Sequence, residues 1–196
     1  MKRTCDILFS CAGILLLLPL YAVIAFLIKR EDGGPVLYNG IRTGLGGTKF
    51  RMHKFRTMVV NADRIGGASS ANDDPRITRI GRKLRSCKLD ELPQLFNVLK
   101  GEMSFVGPRP EVPFYTDMFT EEEKKILSVR PGITDWASLW NSNEGVILAG
   151  SIDPEKTYME KIRPEKIRLQ LQYVRERSLP VDFSIIISTI AKIIKK

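Results

Sequence analysis

The sequence predicts a compact α/β domain of irregular, largely helical character, with short strands and a membrane-inserted helix at its N-terminus. Three observations predict it. Ile7 to Ile28 is a charge-free, mostly apolar run, and about 20 such residues suffice to cross a bilayer as a helix. Val36 to Met58 alternates loosely around Gly44, Gly46 and Gly47, the pattern of two short strands joined by a glycine turn. Leu89, Leu92, Leu95, Phe96 and Leu99 recur at helical spacing, which marks a helix over 85–99 with one buried face. At 196 residues, with 43% hydrophobic and 27% charged side chains, the chain has the size and composition of one folded domain.

The apolar run is flanked by Lys2 and Arg3 on one side and by Lys29 and Arg30 on the other. A cleaved signal peptide is disfavoured, because the run is long and no small-x-small cleavage site follows it. Basic residues on both flanks give a straight span no orientation. Pro19, near the middle, removes a backbone hydrogen bond and bends a helix, so a re-entrant hairpin with both basic ends on one surface fits equally well. Asp32-Gly33-Gly34-Pro35 ends the element.

The net charge of +9 and pI of about 9.6 imply acidic partners: phosphorylated substrates, an anionic membrane face or nucleic acid. Nucleic acid is disfavoured, since the basic segments carry no interleaved aromatic platform. Cys5, Cys11 and Cys87 have no paired spacing, so neither a zinc site nor a disulfide framework is expected. His53, the sole histidine, has no evident acid or metal partner and is not expected to catalyse. The glycine turn lacks the Lys-Ser/Thr ending of a phosphate-binding P-loop. Lys54 and Arg56 flank Phe55, so the two cations are expected on the strand face away from it. Asn61 to Pro75 reads as a polar loop, and Arg76 to Arg85 packs five basic side chains into ten positions.

Lys88 to Pro110, KLDELPQLFNVLKGEMSFVGPRP, is the chemically informative stretch. Pro93 is expected to kink the helix just after the adjacent acids Asp90 and Glu91. Neighbours on a helix point about 100° apart, so the two acids should do different work. A short aspartate suits a hard cation or attack on phosphorus; a glutamate suits positioning or proton transfer. Gly107-Pro108-Arg109-Pro110 is a stiff turn presenting a guanidinium, which can grip phosphate oxygens in a bidentate manner. Arg130-Pro131-Gly132 presents another. Trp136 and Trp140 follow at i and i+4, which places at least one in the core. Tyr158 to Leu179 reads as a charged helix. The apolar, lysine-ended stretch from Phe183 to Lys196 suits an interfacial helix.

The DELPQLFNVLKG and SFVGPRP phrases, the KFRTM segment at Lys54–Met58 with Arg42 and Gly44 upstream, Thr78-x-x-Gly81-x-x-Leu84-Arg85 and Arg130-Pro-Gly-Ile-Thr134 together resemble the bacterial sugar transferase family, in the small single-domain form of the monotopic phosphoglycosyl transferases. The resemblance runs from the N-terminal helix through Thr134. It implies a magnesium-dependent transferase in which Asp90 attacks the sugar-bearing phosphorus of a UDP-sugar, releases UMP and passes the phosphosugar to undecaprenyl phosphate, so starting a glycoconjugate or polysaccharide. It implies Glu91 as partner of Asp90, Asp90 at the metal, and Lys54, Arg85, Arg109 and Arg130 as phosphate-binding residues. It also implies a re-entrant helix over 1–30 broken at Pro19, and a catalytic domain over 31–196 on the cytoplasmic face of the bacterial inner membrane. This sequence departs from the family at Leu18, Gly40, Cys87-Lys88 and Asp135, where many members have serine, glutamine, a small or hydroxyl residue, and glycine. The alternative without the resemblance is a non-catalytic, basic, membrane-anchored binding module.

Overall fold

The computed structural model describes residues 1–65, 73–141 and 144–194. The glycine- and serine-rich centre of the expected loop, 66–72, lies outside them. Helix α1 (Lys2–Asp32) leads to the hairpin β1 (Leu37–Thr43) and β2 (Lys49–Phe55). After α2 (Arg79–Ser86), α3 (Gln94–Lys100) and β3 (Ser104–Val106) come α4 (Pro113–Thr116), β4 (Gly132–Thr134), α5 (Trp136–Trp140), α6 (Glu144–Leu148) and α7 (Pro154–Thr157). A π-helical turn, Tyr158–Ile162, leads into α8 (Arg163–Glu176), and α9 (Leu179–Ile194) ends the described chain. The expected α/β class, largely helical with short strands, is what the chain adopts.

The N-terminal helix is a single 31-residue element, about 46 Å long at 1.5 Å per residue. It is long and apolar enough to cross a membrane. Gly33 ends it in the left-handed conformation (φ 71°), donating its N–H to the Lys29 carbonyl. The helical hydrogen bonding continues on both sides of Pro19, because a proline removes one hydrogen bond and bends the axis without obliging the element to end. One face, Asp6, Ser10, Ile14, Ile24 and Ile28, is buried against the domain, while Leu8, Phe9, Leu15, Leu16, Leu18, Val23 and Phe26 are exposed.

Both ends of α1 are bonded to the same domain. Lys2 Nζ donates to the Val106 carbonyl and to Tyr173 Oη, both at 2.8 Å, and pairs with Asp182. Arg3 donates to the carbonyls of Val98 and Leu99. The buried Asp6 carboxylate accepts from the Ser104 hydroxyl and the Phe105 N–H. At the far end Asp32 takes a bidentate pair from Arg56, and between them Tyr21 Oη donates to the Leu92 carbonyl at 2.7 Å. Contacts with the domain thus run along the helix from Lys2 to Asp32.

The hairpin forms as expected, β1 and β2 pairing antiparallel from Leu37 opposite Phe55 to Thr43 opposite Lys49. Phe55 joins Ile24, Ile28 and Leu84 in an apolar cluster between α1 and α2. Met52 packs with Val98 and Met103, fastening the hairpin to α3; each such buried side chain contributes about 1.5–3 kcal/mol. The spacing in Thr78-x-x-Gly81 has a steric cause. Thr78 Oγ1 accepts the Gly81 N–H, the usual N-cap bond, and a Cβ on Gly81 would lie 2.0 Å from the Thr57 carbonyl oxygen.

Two expectations are corrected. The helix over 85–99 is not continuous: α2 ends at Ser86, Lys88 adopts the left-handed conformation (φ 58°), Leu89–Glu91 form a 3-10 turn, and α3 starts after Pro93. Leu89, Leu92 and Leu95 still pack inward, but Phe96 is exposed and α3 buries Gln94, Asn97 and Val98 in its place. Lys54 and Arg56 do not share an exposed face: Arg56, past the end of β2, is buried on Asp32, whereas Lys54 reaches Glu91. Trp136 packs against the cluster of Val106, Tyr173 and Ile185, and Trp140 is exposed.

Candidate active site

The left-handed turn at Lys88 swings the chain so that Asp90 and Glu91 leave the short 3-10 turn in different directions. Glu91 is fully engaged. One of its oxygens accepts Lys54 Nζ at 3.1 Å and Arg109 Nη2, and the other accepts Arg109 Nη1 at 3.1 Å. Asp90 is 7% exposed, and among the described residues no hydrogen bond or ion pair engages its carboxylate.

The electrostatics separate the two acids further. Burial raises the Asp90 pKa above its ordinary value; Lys54, Arg85 and Lys88 pull it back only in part, and Glu91 adds to the rise. Burial would raise Glu91 as well, but Arg109 and Lys54 outweigh it and hold that carboxyl well below the usual glutamate range. One acid is therefore a fixed anion that orients two cations. The other is a desolvated carboxylate available for chemistry.

Arg109 is positioned by its backbone as much as by its side chain. The parallel pair β3–β4 brings Gly107-Pro108 beside Pro131-Gly132: the Gly107 N–H donates to the Thr134 carbonyl and the Gly132 N–H to the Pro108 carbonyl, both at 3.0 Å. A Cβ on Gly132 would stand 2.1 Å from the Gly107 nitrogen. The Arg109 N–H donates to Asp135 Oδ2 at 3.2 Å, and Gln170 Nε2 donates to the Arg109 carbonyl at 3.2 Å. Asp135 also caps α5 through the Ser138 N–H. Asp135 and Gln170 are completely buried supports of the arginine turn. Asp135 is visible in the sequence only as a departure from the family, and Gln170, 61 residues from its partner, carries no local signal.

Of the expected site residues, the structure brings together Asp90, Glu91, Lys54 and Arg109, with Arg85 beside them. Arg85 Nε donates to Thr57 Oγ1 at 3.0 Å and acts on Asp90 electrostatically. Arg130 is not part of this group. It is exposed, and its Nε donates to the Gly101 carbonyl at 3.0 Å, at the end of α3 where Arg3 binds the carbonyls of Val98 and Leu99. Cations at a helix C-terminus satisfy carbonyls that lack intrahelical donors. His53 lies outside the group as well, with Nδ1 at 2.6 Å from Asn39 Oδ1.

Oxygen donors of this kind suit magnesium, which binds proteins through one or two carboxylates and completes its shell with water and substrate phosphates. Asp90 has the chemistry for such a role; Glu91 is occupied by Lys54 and Arg109. No cluster of three or more His, Cys, Asp or Glu side chains exists among the described residues, so any such ion would depend on a substrate for most of its ligands.

Comparison with known proteins places the chain in a family. The bacterial sugar transferase profile matches residues 1–196, and the chain belongs to that family. It is 38% identical over 196 residues to a UDP-N-acetylgalactosamine-undecaprenyl-phosphate N-acetylgalactosaminephosphotransferase of Aeromonas hydrophila, covering 98% of this chain and 43% of that protein. It is 35% identical over 196 residues to the UDP-glucose:undecaprenyl-phosphate glucose-1-phosphate transferase of Escherichia coli K12, covering 98% of this chain and 40% of that one. The uncharacterized sugar transferase EpsL of Bacillus subtilis is 36% identical over 199 residues, covering 99% and 87%. The chain thus spans less than half the length of the two relatives with named substrates.

Proposed function

We propose that the protein transfers a sugar-1-phosphate from a UDP-sugar to undecaprenyl phosphate through a phosphosugar intermediate on Asp90, initiating a glycoconjugate or polysaccharide. The observation that carries this reading is the division of labour between neighbours: Glu91 holds Lys54 and Arg109, while the buried Asp90 carboxylate has no bonded counter-ion among the described residues. An Asp90 oxygen attacks the sugar-bearing phosphorus, the bond from that phosphorus to the bridging oxygen breaks, and UMP departs with that oxygen. A phosphate oxygen of the polyprenyl acceptor then attacks the same phosphorus, and the Asp90 carboxylate is regenerated. Desolvation favours the first step, since a poorly solvated carboxylate gives up little hydration on attack. Lys54, Arg85 and Arg109 surround the reacting phosphate with positive charge that is already oriented before substrate arrives.

Magnesium, held by Asp90 and the donor's own phosphates, would neutralise diphosphate charge. The exposed apolar face of α1 and the exposed stripe Phe183, Ile187, Ile190 and Ile194 of α9 suit insertion at a membrane surface, where an undecaprenyl chain resides. A bend of α1 at Pro19 would let both of its ends lie on the side of the catalytic domain, which we assign to the cytoplasmic face of the inner membrane.

The test is UMP release from a panel of UDP-sugars by detergent-solubilised protein, with and without undecaprenyl phosphate. Wild type is expected to form UMP with at least one donor and Asp90→Asn to form none above background. Silence of the wild type across the panel, with salt-sensitive binding to anionic vesicles, would favour a non-catalytic membrane module.

A further inference from the structure

The hairpin carries a cation that the reading above leaves without a task. Arg42 lies on β1 on the same face as Tyr38 and Gly40, and Tyr38 stands directly opposite Lys54 in the register. That face is therefore the one from which Lys54 reaches Glu91. The Thr43 N–H donates to the Glu111 carbonyl at 2.9 Å, which staples the end of β1 to the Arg109 turn and puts Arg42 at the junction. Glu111, Arg109 and Glu91 all act on its guanidinium electrostatically. Yet its one hydrogen bond among the described residues runs from Nη1 to the carbonyl of its neighbour Ile41, at 2.9 Å, and no carboxylate there forms an ion pair with it.

Gly40 sets where Arg42 points. A Cβ built on Gly40 would lie 2.8 Å from Tyr38 Cε1, 3.1 Å from Tyr38 Oη and 3.1 Å from Arg42 Nη1. The tyrosine ring and the guanidinium converge from either side over the missing side chain. A larger side chain such as glutamine would occupy that volume and push both outward.

We propose that Arg42, folded with Tyr38 over Gly40, holds the phosphate that leaves with the nucleotide, so that Gly40 is a determinant of donor binding in this chain. The assignment rests on the reading that the donor is a nucleoside diphosphate sugar attacked by Asp90. The order of charges selects which phosphate. Lys54, beside Asp90 and Glu91, stands opposite Tyr38, whereas Arg42 lies four residues further along β1, at the end that Thr43 staples to Glu111. It is one step removed from the reacting phosphorus, where the second phosphate of a diphosphate falls. A guanidinium with free donors grips such oxygens in pairs, and the Tyr38 ring, 44% exposed, covers its flank.

The experiment uses the full chain in detergent and compares wild type with Gly40→Gln, Gly40→Ala and Arg42→Lys. KM and kcat are measured for a UDP-sugar that wild type accepts, with UMP and uridine as competing probes. The atoms that a side chain at residue 40 would meet are the far ends of flexible side chains, so the Gly40 variants are expected to fold with an unchanged melting temperature. Gly40→Gln and Arg42→Lys should raise KM and the UMP inhibition constant about ten-fold, the size of one lost charge-assisted hydrogen bond. The kcat and the weak inhibition by uridine, which lacks the phosphate, should stay within roughly two-fold. Gly40→Ala should fall between. Unchanged UMP inhibition in Gly40→Gln and Arg42→Lys overturns the proposal, as does an equal loss for uridine, which would make Arg42 a structural partner of Glu111. Failure of wild type to release UMP from any donor is a different result and removes the transferase reading itself.

Discussion

Two turns of nearly the same composition lie side by side and do different work. Gly107-Pro108-Arg109-Pro110 and Arg130-Pro131-Gly132 each offer an arginine next to proline and glycine, and they share backbone hydrogen bonds through β3 and β4. Arg109 is delivered to Glu91, while Arg130 turns away to the Gly101 carbonyl at the end of α3. A rigid turn lowers the entropy of presenting a side chain but does not choose its destination. What chooses here is the second set of contacts: Asp135 and Gln170 grip the backbone of Arg109. Arg130 instead finds the carbonyl-rich end of a helix.

The contrast can be broken from either side. Arg109→Ala should lower kcat/KM for UMP release by about 100-fold or more, the usual loss for one oriented charge at a developing anion, and Glu91 then keeps Lys54 alone. Gly132→Ala attacks both turns at once, because the new Cβ meets the Gly107 nitrogen at 2.1 Å. Backbone has no easy retreat, so a loss of about 3 kcal/mol in unfolding free energy is expected, read by denaturant melts. Arg130→Ala marks the small end: activity within about two-fold of wild type and a melting temperature lower by a few degrees at most. If Arg130→Ala matched Arg109→Ala in lost activity, the contrast would be wrong.

A pH profile sharpens the difference between the acids. The Asp90 pKa is raised by burial, so the reactive carboxylate is lost as pH falls through a value above the ordinary aspartate range. The logarithm of kcat/KM should therefore bend downward there and fall with unit slope, ten-fold per pH unit. Glu91 is held low by Arg109 and Lys54. The stability from its ion pairs is present above its unfolded value and is lost only as pH falls through the depressed one, so Glu91 adds no second bend in that range. An acid limb at the ordinary aspartate position would contradict the burial argument.

Much of this was legible in the chain. The charge-free run, the glycine turn and the alternation around it specify α1 and the hairpin through periodicity alone. The unlike roles of Asp90 and Glu91 follow from their being adjacent on a tight turn, whichever helical form it takes. What was not legible depends on contacts distant in sequence. The apolar spacing over 85–99 cannot report the left-handed Lys88, because Leu89, Leu92 and Leu95 point inward whether or not the helix is interrupted. The separation of Lys54 from Arg56 is decided by Asp32, 24 residues from Arg56. Asn97, buried and bonded to the His53 N–H and the Arg51 carbonyl, fastens α3 to β2 without any motif to announce it. At Pro19, a residue that weakens a helix locally does not end one whose two flanks are both held by the domain.

Covalent transfer through Asp90 is tested most directly by the intact mass of the protein after incubation with its UDP-sugar and magnesium in the absence of undecaprenyl phosphate. A gain equal to one phosphosugar is expected, mapped by peptide fragmentation to Asp90, discharged on adding acceptor and absent from Asp90→Asn. A phosphosugar on any other residue, or UMP release by Asp90→Asn at the wild-type rate, would contradict it.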